Sequence, residues 1–413
     1  MLRRNVYQLQ LVNGVTSLLA VFLCVFTVHC AVDRAVQHER RRLSRQWDFG
    51  SVHFNADFPS ARLSGCSEKA GKYILSISPE TVPINHSPWY CFAVTADTKR
   101  DIQVVLKYTY SRHRYWPKLS RDAENWTKLE QSRMVHKKEG QEVELHLTVD
   151  DQPTWISAQP IFSNEHYRQL NREYLKNRFL ESRILGYSLE GRPIVKLETC
   201  DWKGEKPGNV VLIGRQHPPE TTGALGMVTF IRTLLKDTDL ARAFRSKFRL
   251  IIVPNLNPDG VAHGHWRTNM NGVDLNRDWG PFTQPETRLM QRELSRFKEN
   301  RDGQLYLGLD FHSTRYNLIY TQGFDIHTVP EAFAFKWYDA IMERLPEADF
   351  YHEPVHSPGK PIFKSYVYRE FGAPGVTYEM GDCSTVEEID LIATVAAEEM
   401  MRLLIAEFNQ TRK

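Results

Sequence analysis

The chain has 413 residues with 41% hydrophobic content, and 53 basic residues nearly balance 50 acidic ones, for a formal net charge of +3. This length supports a sizeable core divided into two or three domains. The balanced charge, without a basic stripe of interleaved aromatic residues, argues against a nucleic-acid partner.

The N-terminal segment is apolar and lies between two basic stretches. Arg3 and Arg4 precede residues 5–32, which carry no charged side chain, and the basic run HERRR follows at 38–42. This pattern is typical of a secretory signal peptide or a single membrane anchor. We therefore expect a signal peptide or membrane anchor over 1–35 and a linker over 36–47. The first expectation is export or attachment on the periplasmic or extracellular side. The excess of arginines after the segment leaves the cytoplasmic face as the alternative.

Residues 48–162 contain short segments that alternate apolar with polar side chains. The clearest are YILSISPE, WYCFAVTA, IQVVLKYTY and VELHLTV. Gly, Pro, Asn and Asp separate them, and no convincing helix interrupts them. The pattern predicts an antiparallel β-sandwich. Cys66 and Cys91 could form a disulfide in an oxidising compartment or be small buried residues.

From residue 163 onward, predicted helices and strands alternate. A long helix is predicted over HYRQLNREYLKNRFLES, and strands over NVVLIG, FRLIIVPNLNP, QLYLGLDFH and APGVTYE. Further helices are predicted over TTGALGMVTFIRTLLKD, PETRLMQRELSRFKEN, AFAFKWYDAIMERL and TVEEIDLIATVAAEEMMRLLIAEF. Such alternation predicts an α/β domain over 163–413, with a mixed, mainly parallel sheet flanked by helices. Ligand sites in such sheets lie outside the carboxyl ends of the strands.

Three potential metal ligands fall at the ends of predicted strands. His217 and Glu220 follow NVVLIG, and His312 ends QLYLGLDFH. Two imidazoles and one carboxylate, with water as the fourth ligand, are typical of a catalytic zinc site. Any one of them could be an ordinary loop residue, but three together predict one zinc ion per chain. His263 and His265 are a rival metal pair on one predicted strand face, without an evident third ligand.

Four motifs occur in the order found in a known family. They are HPPE (217–220), NPDGVAHGHWRTNMNGVDLNRDW (257–279), DFHS (310–313) and TYEMGD (377–382), and they resemble those of the zinc metallocarboxypeptidases. The cytosolic-type branch is most similar, because PINHSPWYCFAV, PKLSRDAENWTKL and WISAQPIF resemble its N-terminal domain. The resemblance covers residues 46–405. It implies a carboxypeptidase-like domain behind a β-sandwich, acting on the C-terminal residue of peptides or proteins.

The resemblance also implies the reacting groups of the site. His217, Glu220 and His312 would be the zinc ligands, and Glu379 would be the general base. These roles agree with the chemistry of the residues, because zinc lowers the pKa of a bound water and an adjacent carboxylate can take its proton.

Four further residues of the second motif would complete the site. Arg267 would polarise the scissile carbonyl, since a guanidinium stabilises a developing oxyanion. Asn276 and Arg277 would bind the terminal carboxylate of the substrate, and Asp274 would orient a zinc-bound histidine.

Two positions near the C-terminus require separate interpretation. Better-known family members carry a mobile tyrosine, but counting back 22 residues from Glu379 gives Ser357, and Tyr351 is reached only through a gap. Counting back 15 residues, to the family's side-chain pocket, gives Lys364. A buried ammonium there would favour Asp or Glu at the substrate terminus. A slip of one residue would instead place Phe363 in the pocket and Lys364 on the solvent face of a strand.

Two other functions remain as alternatives. A zinc-dependent N-acyl amino-acid deacylase would share the zinc ligands and the DLNR motif, although the sandwich and the NPDG stretch favour the peptidase. A non-catalytic peptide-binding module would require a lost ligand or base, and none is lost in this sequence.

Overall fold

The computed structural model describes residues 45–204 and 206–410. The predicted signal peptide or membrane anchor over 1–35 lies outside these ranges, as does most of the predicted linker. Within them, no helix is both long enough and apolar enough to span a bilayer. The chain divides into two units, Met1–Gln46 and Trp47–Lys413, and apart from Gln46 itself the features that follow lie in the second.

Eleven strands form the N-terminal part of this unit. They are β1 (Gln46–Asp48), β2 (Val52–Asn55), β3 (Gly65–Lys69), β4 (Lys72–Ile77), β5 (Cys91–Ala96), β6 (Arg100–Tyr108), β7 (Lys118–Ser120), β8 (Thr127–Lys128), β9 (Met134–Lys137), β10 (Glu142–Val149) and β11 (Thr154–Ser157). One sheet has the order β1-β2-β5-β11-β7-β8, and the other has the order β3-β4-β6-β10-β9. β4 pairs with β6 in parallel, whereas β5, β10 and β11 pair with their neighbours in antiparallel fashion.

The two sheets enclose one apolar core, which confirms the predicted β-sandwich. Alternating side chains of the central strands point inward, such as Val52 and Phe54 of β2 and Val104 and Leu106 of β6. In this part of the described chain the helical segments are two short 3₁₀ turns, Gln131–Arg133 and Lys138–Gly140. Cys66 and Cys91 are free thiols, and burial raises the pKa of each to about 12.

An eight-stranded sheet forms the centre of the C-terminal part. Its strands are β12 (Leu180–Tyr187), β13 (Pro193–Thr199), β14 (Gly208–Gly214), β15 (Phe248–Val253), β16 (Leu305–Thr314), β17 (Asn317–Tyr320), β18 (Phe350–Glu353) and β19 (Gly375–Gly381). The order is β12-β13-β15-β14-β16-β19-β17-β18, and four of the seven neighbouring pairs are parallel. The predicted mixed, mainly parallel sheet is therefore confirmed.

Helices accompany this sheet, as predicted. They are α1 (Asn164–Tyr174), α2 (Thr221–Leu235), α3 (Asp239–Arg245), α4 (Pro258–His263), α5 (Pro285–Leu294), α6 (Phe333–Arg344), α7 (Phe363–Phe371) and α8 (Val386–Gln410). Two more 3₁₀ turns are Leu275–Arg277 and Ser295–Asn300. The predicted boundary between 162 and 163 falls between β11 and α1, and the division into two domains stays a prediction.

One predicted element was wrong, and one alternative placement is excluded. The helix predicted to continue to residue 182 ends at Tyr174, and the residues after Phe179 form the edge strand β12. β12 pairs along its length with β13, and this pairing overrides the local helical preference. The stretch around Lys364, which was considered as a strand, is helix α7.

Candidate active site and metal centre

The turn that carries His217 and Glu220 is held from behind by a buried arginine. Strand β14 is buried throughout and is followed by Arg215, which has a left-handed φ of 55°. Its guanidinium donates to the carbonyl of Pro218 at 2.9 Å and to that of Phe162 at 3.0 Å. The two prolines and this arginine therefore fix the turn before α2 begins.

Glycine allows α2 to approach the strand that carries the second histidine. A Cβ atom on Gly223 would lie 2.1 Å from the carbonyl oxygen of His312. In addition, the backbone N–H of Gly223 donates to Ser313 Oγ at 2.8 Å. The start of α2 and the end of β16 are thus locked together, which brings the three predicted ligands into one place.

The three predicted zinc ligands form a single buried cluster. One ligand atom from each of His217, Glu220 and His312 lies within 4.8 Å of the others. His217 Nδ1 is 2.8 Å from Glu220 Oε1, and His312 Nδ1 is 2.6 Å from Glu220 Oε2. The two Nδ1 atoms are 3.1 Å apart. Each of these residues is at most 6% exposed.

A carboxylate orients each imidazole from the outer side. His217 Nε2 is 2.9 Å from Asp274 Oδ1, and His312 Nε2 is 2.7 Å from Asp310 Oδ2. Protons on the Nε2 atoms leave both Nδ1 lone pairs facing Glu220, which is the arrangement that zinc-binding histidines usually adopt. Several acceptors converge on one buried point, and a divalent cation satisfies such a donor set. The residues present therefore fit zinc.

Glu379 lies beside this cluster because of strand register. In the parallel pair of β16 and β19, His312 is opposite Glu379. The Oε2 atom of Glu379 is buried without a hydrogen-bond partner in the described chain. Burial raises the pKa of its carboxyl to about 8, with the carboxylates of Glu220 and Asp310 adding to the rise, while His312 and Arg267 oppose it. A buried carboxyl beside a metal site is suited to accept and return a proton.

Arg267 is linked to the same cluster through Asp274. Its Nε donates to Asp274 Oδ2 at 2.6 Å, and its NH1 atom is 4.0 Å from Glu220 Oε1. Burial opposes ionisation of Asp274, but its electrostatic interaction and hydrogen bond with His217 and the charges of Arg267 and Arg277 outweigh it and hold the pKa well below its usual range. One ionised carboxylate thus orients both a predicted zinc ligand and the predicted oxyanion-stabilising arginine.

The two residues predicted to bind the substrate carboxylate differ in their surroundings. Asn276 is buried, its Oδ1 accepts from the backbone N–H of Phe363 at 3.0 Å, and its Nδ2 is 3.2 Å from His312 Nε2. Arg277 is exposed, with NH1 donating to the carbonyl of Asn276 at 2.6 Å. Asn276 therefore lies between the metal cluster and the start of α7, while Arg277 is exposed.

The rival metal pair is not supported. His263 ends helix α4 and His265 follows it, so they do not share a strand face. His263 Nε2 is 2.7 Å from Glu190 Oε2, and His265 Nδ1 lies 3.1 Å from the carbonyl of Thr268. In the part of the chain that the structure describes, His217, Glu220 and His312 are the one group with metal-binding geometry.

The position of the family tyrosine is occupied differently. Ser357 uses its carbonyl to accept from Ser365, and Tyr351 is 46% exposed on the sheet edge, where its ring is 6.2 Å from that of Tyr316. Tyr320 lies on the same sheet face as Glu379, since it pairs with Thr377 on β19. Burial and the carboxylates of Glu379 and Glu353 raise its pKa.

Lys364 is buried in the first turn of α7, so the solvent-facing strand position considered for it was wrong. Its ammonium donates to the backbone carbonyls of Thr321, at 2.8 Å, and Val355. Burial, with a smaller effect from Lys360, lowers its pKa to about 8. Among the described residues, no carboxylate forms an ion pair with it.

Sequence reasoning missed Asp310, although a signal was available. In the stretch LDFHS, Asp310 precedes His312 by two residues, and alternate residues of a strand lie on one face. A carboxylate two positions before a strand-borne ligand histidine could therefore have been predicted to orient it. Arg215 had no comparable signal, because its partners lie in a turn and in a distant segment.

The chain belongs to the zinc carboxypeptidase family, whose profile matches residues 167–401. It is 26% identical to mouse cytosolic carboxypeptidase 3 over 307 residues, which cover 64% of this chain and 30% of the mouse protein. It is also 26% identical to an uncharacterized protein of Zymomonas mobilis, over 56% of this chain and 60% of that one. The chain thus spans under two thirds of the length of these relatives.

The fold is shared with a solved metallo-carboxypeptidase from Burkholderia cenocepacia. The TM-score is 0.72 at 18% identity, and the match covers 86% of this chain and 99% of that structure. Together with the family membership, the His217, Glu220 and His312 cluster supports zinc as the cofactor.

The zinc site is tested by metal content. Replacing His217 with Ala should lower zinc affinity by about 100-fold or more, since loss of an orienting group alone costs 10–100-fold. Elemental analysis after dialysis should show about one zinc per chain in the wild type and a large deficit in the variant. His263→Ala is the matched control and should retain zinc. Equal zinc content in His217→Ala and the wild type would contradict the assignment.

The role of Glu379 is tested by separating turnover from binding. Glu379→Gln should reduce kcat by about 100-fold or more, because the amide cannot accept the proton. Zinc content and KM should change little, since Glu379 is not among the three clustered ligands. Single-turnover kinetics at several substrate concentrations and metal analysis, made on the same preparation, measure the rate, the substrate binding and the zinc content. Near-normal kcat in this variant would show that Glu379 is not the general base.

Proposed function

We propose that this protein is a zinc-dependent carboxypeptidase that hydrolyses the C-terminal residue of peptides or proteins. The observation that carries the proposal is the convergence of two imidazoles, one carboxylate, Glu379 and Arg267 on one buried point. A non-catalytic peptide-binding module would not need Glu379, whose Oε2 is buried without a hydrogen-bond partner in the described chain, on the strand position opposite His312.

The residues divide the work of peptide hydrolysis between them. When bound, zinc supplies an activated water and polarises the scissile carbonyl. Glu379 accepts a proton from the attacking water and returns it to the leaving amine. Arg267 donates hydrogen bonds to the oxygen that becomes negatively charged, while Asp274 keeps its guanidinium oriented.

Recognition of a chain terminus is assigned to Asn276 and Arg277. Arg277 is exposed and adjacent to the cluster through Asn276, so its guanidinium is available to an incoming carboxylate. This charge pairing would make the enzyme an exopeptidase, because an internal peptide bond has no carboxylate to offer.

We further propose a preference for acidic residues at the substrate terminus. Lys364 carries a buried ammonium whose partners are two neutral carbonyls. An ammonium in this setting gains from a carboxylate more than from a neutral side chain. Lys364 would then line the pocket for the side chain of the substrate's terminal residue.

From the N-terminal sequence alone, we propose export or membrane attachment through residues 1–35. The support is the uncharged stretch over 5–32 between two basic stretches. The periplasmic or extracellular side is the first expectation, and the cytoplasmic face is the alternative. Cell fractionation with protease protection separates the two, and a protein released without membrane lysis in its full-length form would contradict both.

Exopeptidase character is tested with amidated substrates. Amidating the C-terminus of a good peptide substrate should cost about 2 kcal/mol or more of transition-state binding, which is about a 30-fold fall in kcat/KM. The cause is the loss of the charge that pairs with Arg277. Arg277→Ala should remove most of this discrimination, whereas Arg292→Ala, at an exposed arginine of α5, should not.

The same assay distinguishes the alternative activities. Equal cleavage of amidated and free peptides would indicate an endopeptidase. Hydrolysis of N-acyl amino acids without release of residues from longer peptides would indicate the deacylase.

Acidic preference is tested by charge reversal at Lys364. The wild type should cleave peptides ending in Glu at least about 10-fold better than those ending in Leu, and Lys364→Glu should shift the preference toward Lys or Arg. Lys360→Glu, at an exposed lysine nearby, should keep the wild-type order. If the wild type prefers Leu and Lys364→Glu keeps that order, Lys364 does not contact the substrate side chain.

This preference should also depend on pH. The Lys364 ammonium is charged below its pKa of about 8, so the advantage of Glu over Leu should be full at lower pH and decline as pH rises through about 8. The ratio of kcat/KM values is the correct measure, because kcat/KM reports the free enzyme.

A further inference from the structure

The segment that carries Arg267 is inserted into the β-sandwich. It begins at Gly264, which has a left-handed φ of 59° and lies so close to the sandwich that a Cβ atom would be 2.7 Å from the carbonyl oxygen of Ser60. Two residues later, the Trp266 side chain is 0% exposed within the sandwich core, and its Nε1 donates to the carbonyl of Trp89 at 3.1 Å. The sandwich therefore holds the chain in place through packing and a hydrogen bond on the N-terminal side of Arg267.

One carboxylate from the sandwich binds the backbone of this segment directly. Glu80 Oε1 accepts from the N–H groups of Arg267 and Thr268, each at 2.9 Å, and from the Thr268 hydroxyl at 2.9 Å. Glu80 Oε2 accepts from the N–H of Trp266 at 2.7 Å. Three consecutive backbone donors thus point at a single side chain that is 7% exposed.

Glu80 is suited to this task because it is an ionised acceptor. Burial opposes ionisation, but His265, Arg62 and the backbone N–H groups outweigh it, and the pKa of Glu80 is lowered. Hydrogen bonds to a charged acceptor are about twice as strong as those between neutral groups. The carboxylate therefore fixes the segment more firmly than a neutral side chain could.

We infer that Glu80, a residue of the β-sandwich, is a positioning residue for catalysis, which holds the Arg267 guanidinium at the reacting carbonyl. Arg267 is held at its side-chain end by Asp274 and at its backbone end by Glu80. With both ends fixed, the guanidinium has one place to occupy beside Glu220. This inference rests on the proposed carboxypeptidase activity and extends it, since it gives the sandwich a part in turnover.

The effect of losing this carboxylate should appear in kcat. In Glu80→Gln the amide oxygen can serve the three donors at Oε1 only by turning its NH₂ group toward the N–H of Trp266. The segment must then shift, and a displacement of about 1 Å can reduce the rate by about 100-fold. We expect kcat to fall by about 10-fold or more, with KM changed by less than about 2-fold, because the carboxylate-binding residues are untouched.

The control is a buried glutamate elsewhere in the sandwich. Glu144 is 6% exposed and pairs with Lys72 and Lys137 on a surface that is made only of sandwich strands. Glu144→Gln should lower stability without changing kcat. An equal fall in kcat for both variants would show a general effect of sandwich stability and would overturn the inference.

A double-mutant cycle distinguishes positioning from structural damage. Glu80→Gln should reduce kcat in the wild-type background and have little further effect in Arg267→Ala, since the group being positioned is then absent. Additive effects would overturn the inference. Hydrogen exchange should also show lost protection at Trp266, Arg267 and Thr268 in Glu80→Gln, and unchanged protection there would overturn it as well.

Failure of the proposed activity gives a different result. If the wild type, loaded with zinc, releases no terminal residue from any peptide, the carboxypeptidase proposal falls and this inference falls with it. If the wild type is active and Glu80→Gln has normal kcat, only the inference falls.

Discussion

The arrangement of the site depends on two imidazole nitrogens that lie 3.1 Å apart and face one carboxylate in a buried place. Lone pairs cannot be packed together away from water without a cation or a proton between them. The protein maintains this arrangement with fixed partners on the outer side, where Asp274 and Asp310 hold the two histidines. The site therefore depends on residues that are not themselves in the ligand cluster.

The eight-stranded sheet supplies the rigidity that this arrangement needs. Strands β14, β16 and β19 are adjacent and parallel, so their carboxyl ends meet at one edge. The pairing of His312 with Glu379 is then a matter of register, and a slip of one residue would turn one of them to the opposite face. The apolar core on the other face of the sheet, which includes Phe311 and Tyr378, makes such a slip unfavourable.

The β-sandwich also supports the site through hydrogen bonds. Its contacts near the site include Glu80 at the Arg267 segment and Arg114, whose Nε donates to Asp382 at 2.8 Å. Asp382 follows Glu379 by three residues, and its carbonyl accepts from Gln159 at 2.7 Å. The sandwich thus braces both the segment of the predicted oxyanion-stabilising residue and the strand end of the predicted base.

Local patterns in the sequence determined the fold class and the metal ligands. Alternating apolar residues predicted the sandwich, and the alternation of strands with helices predicted the mixed sheet, because both patterns repeat within a few residues. His217 and Glu220 are three residues apart at the end of an apolar run, and His312 ends another. When each ligand of a site lies at the end of a strand, the site can be predicted as soon as the strands are predicted.

Tertiary structure alone decided how the site is supported. Glu80 lies 187 residues from Arg267 in the chain, and no pattern around PETVP marks it as a partner of that arginine. The residues from Leu180 form strand β12 because β13 pairs with them, and Lys364 lies in a helix rather than a strand. Hydrogen bonds and pairings between distant segments outweigh local preference, and their partners are not encoded by the spacing of neighbouring residues.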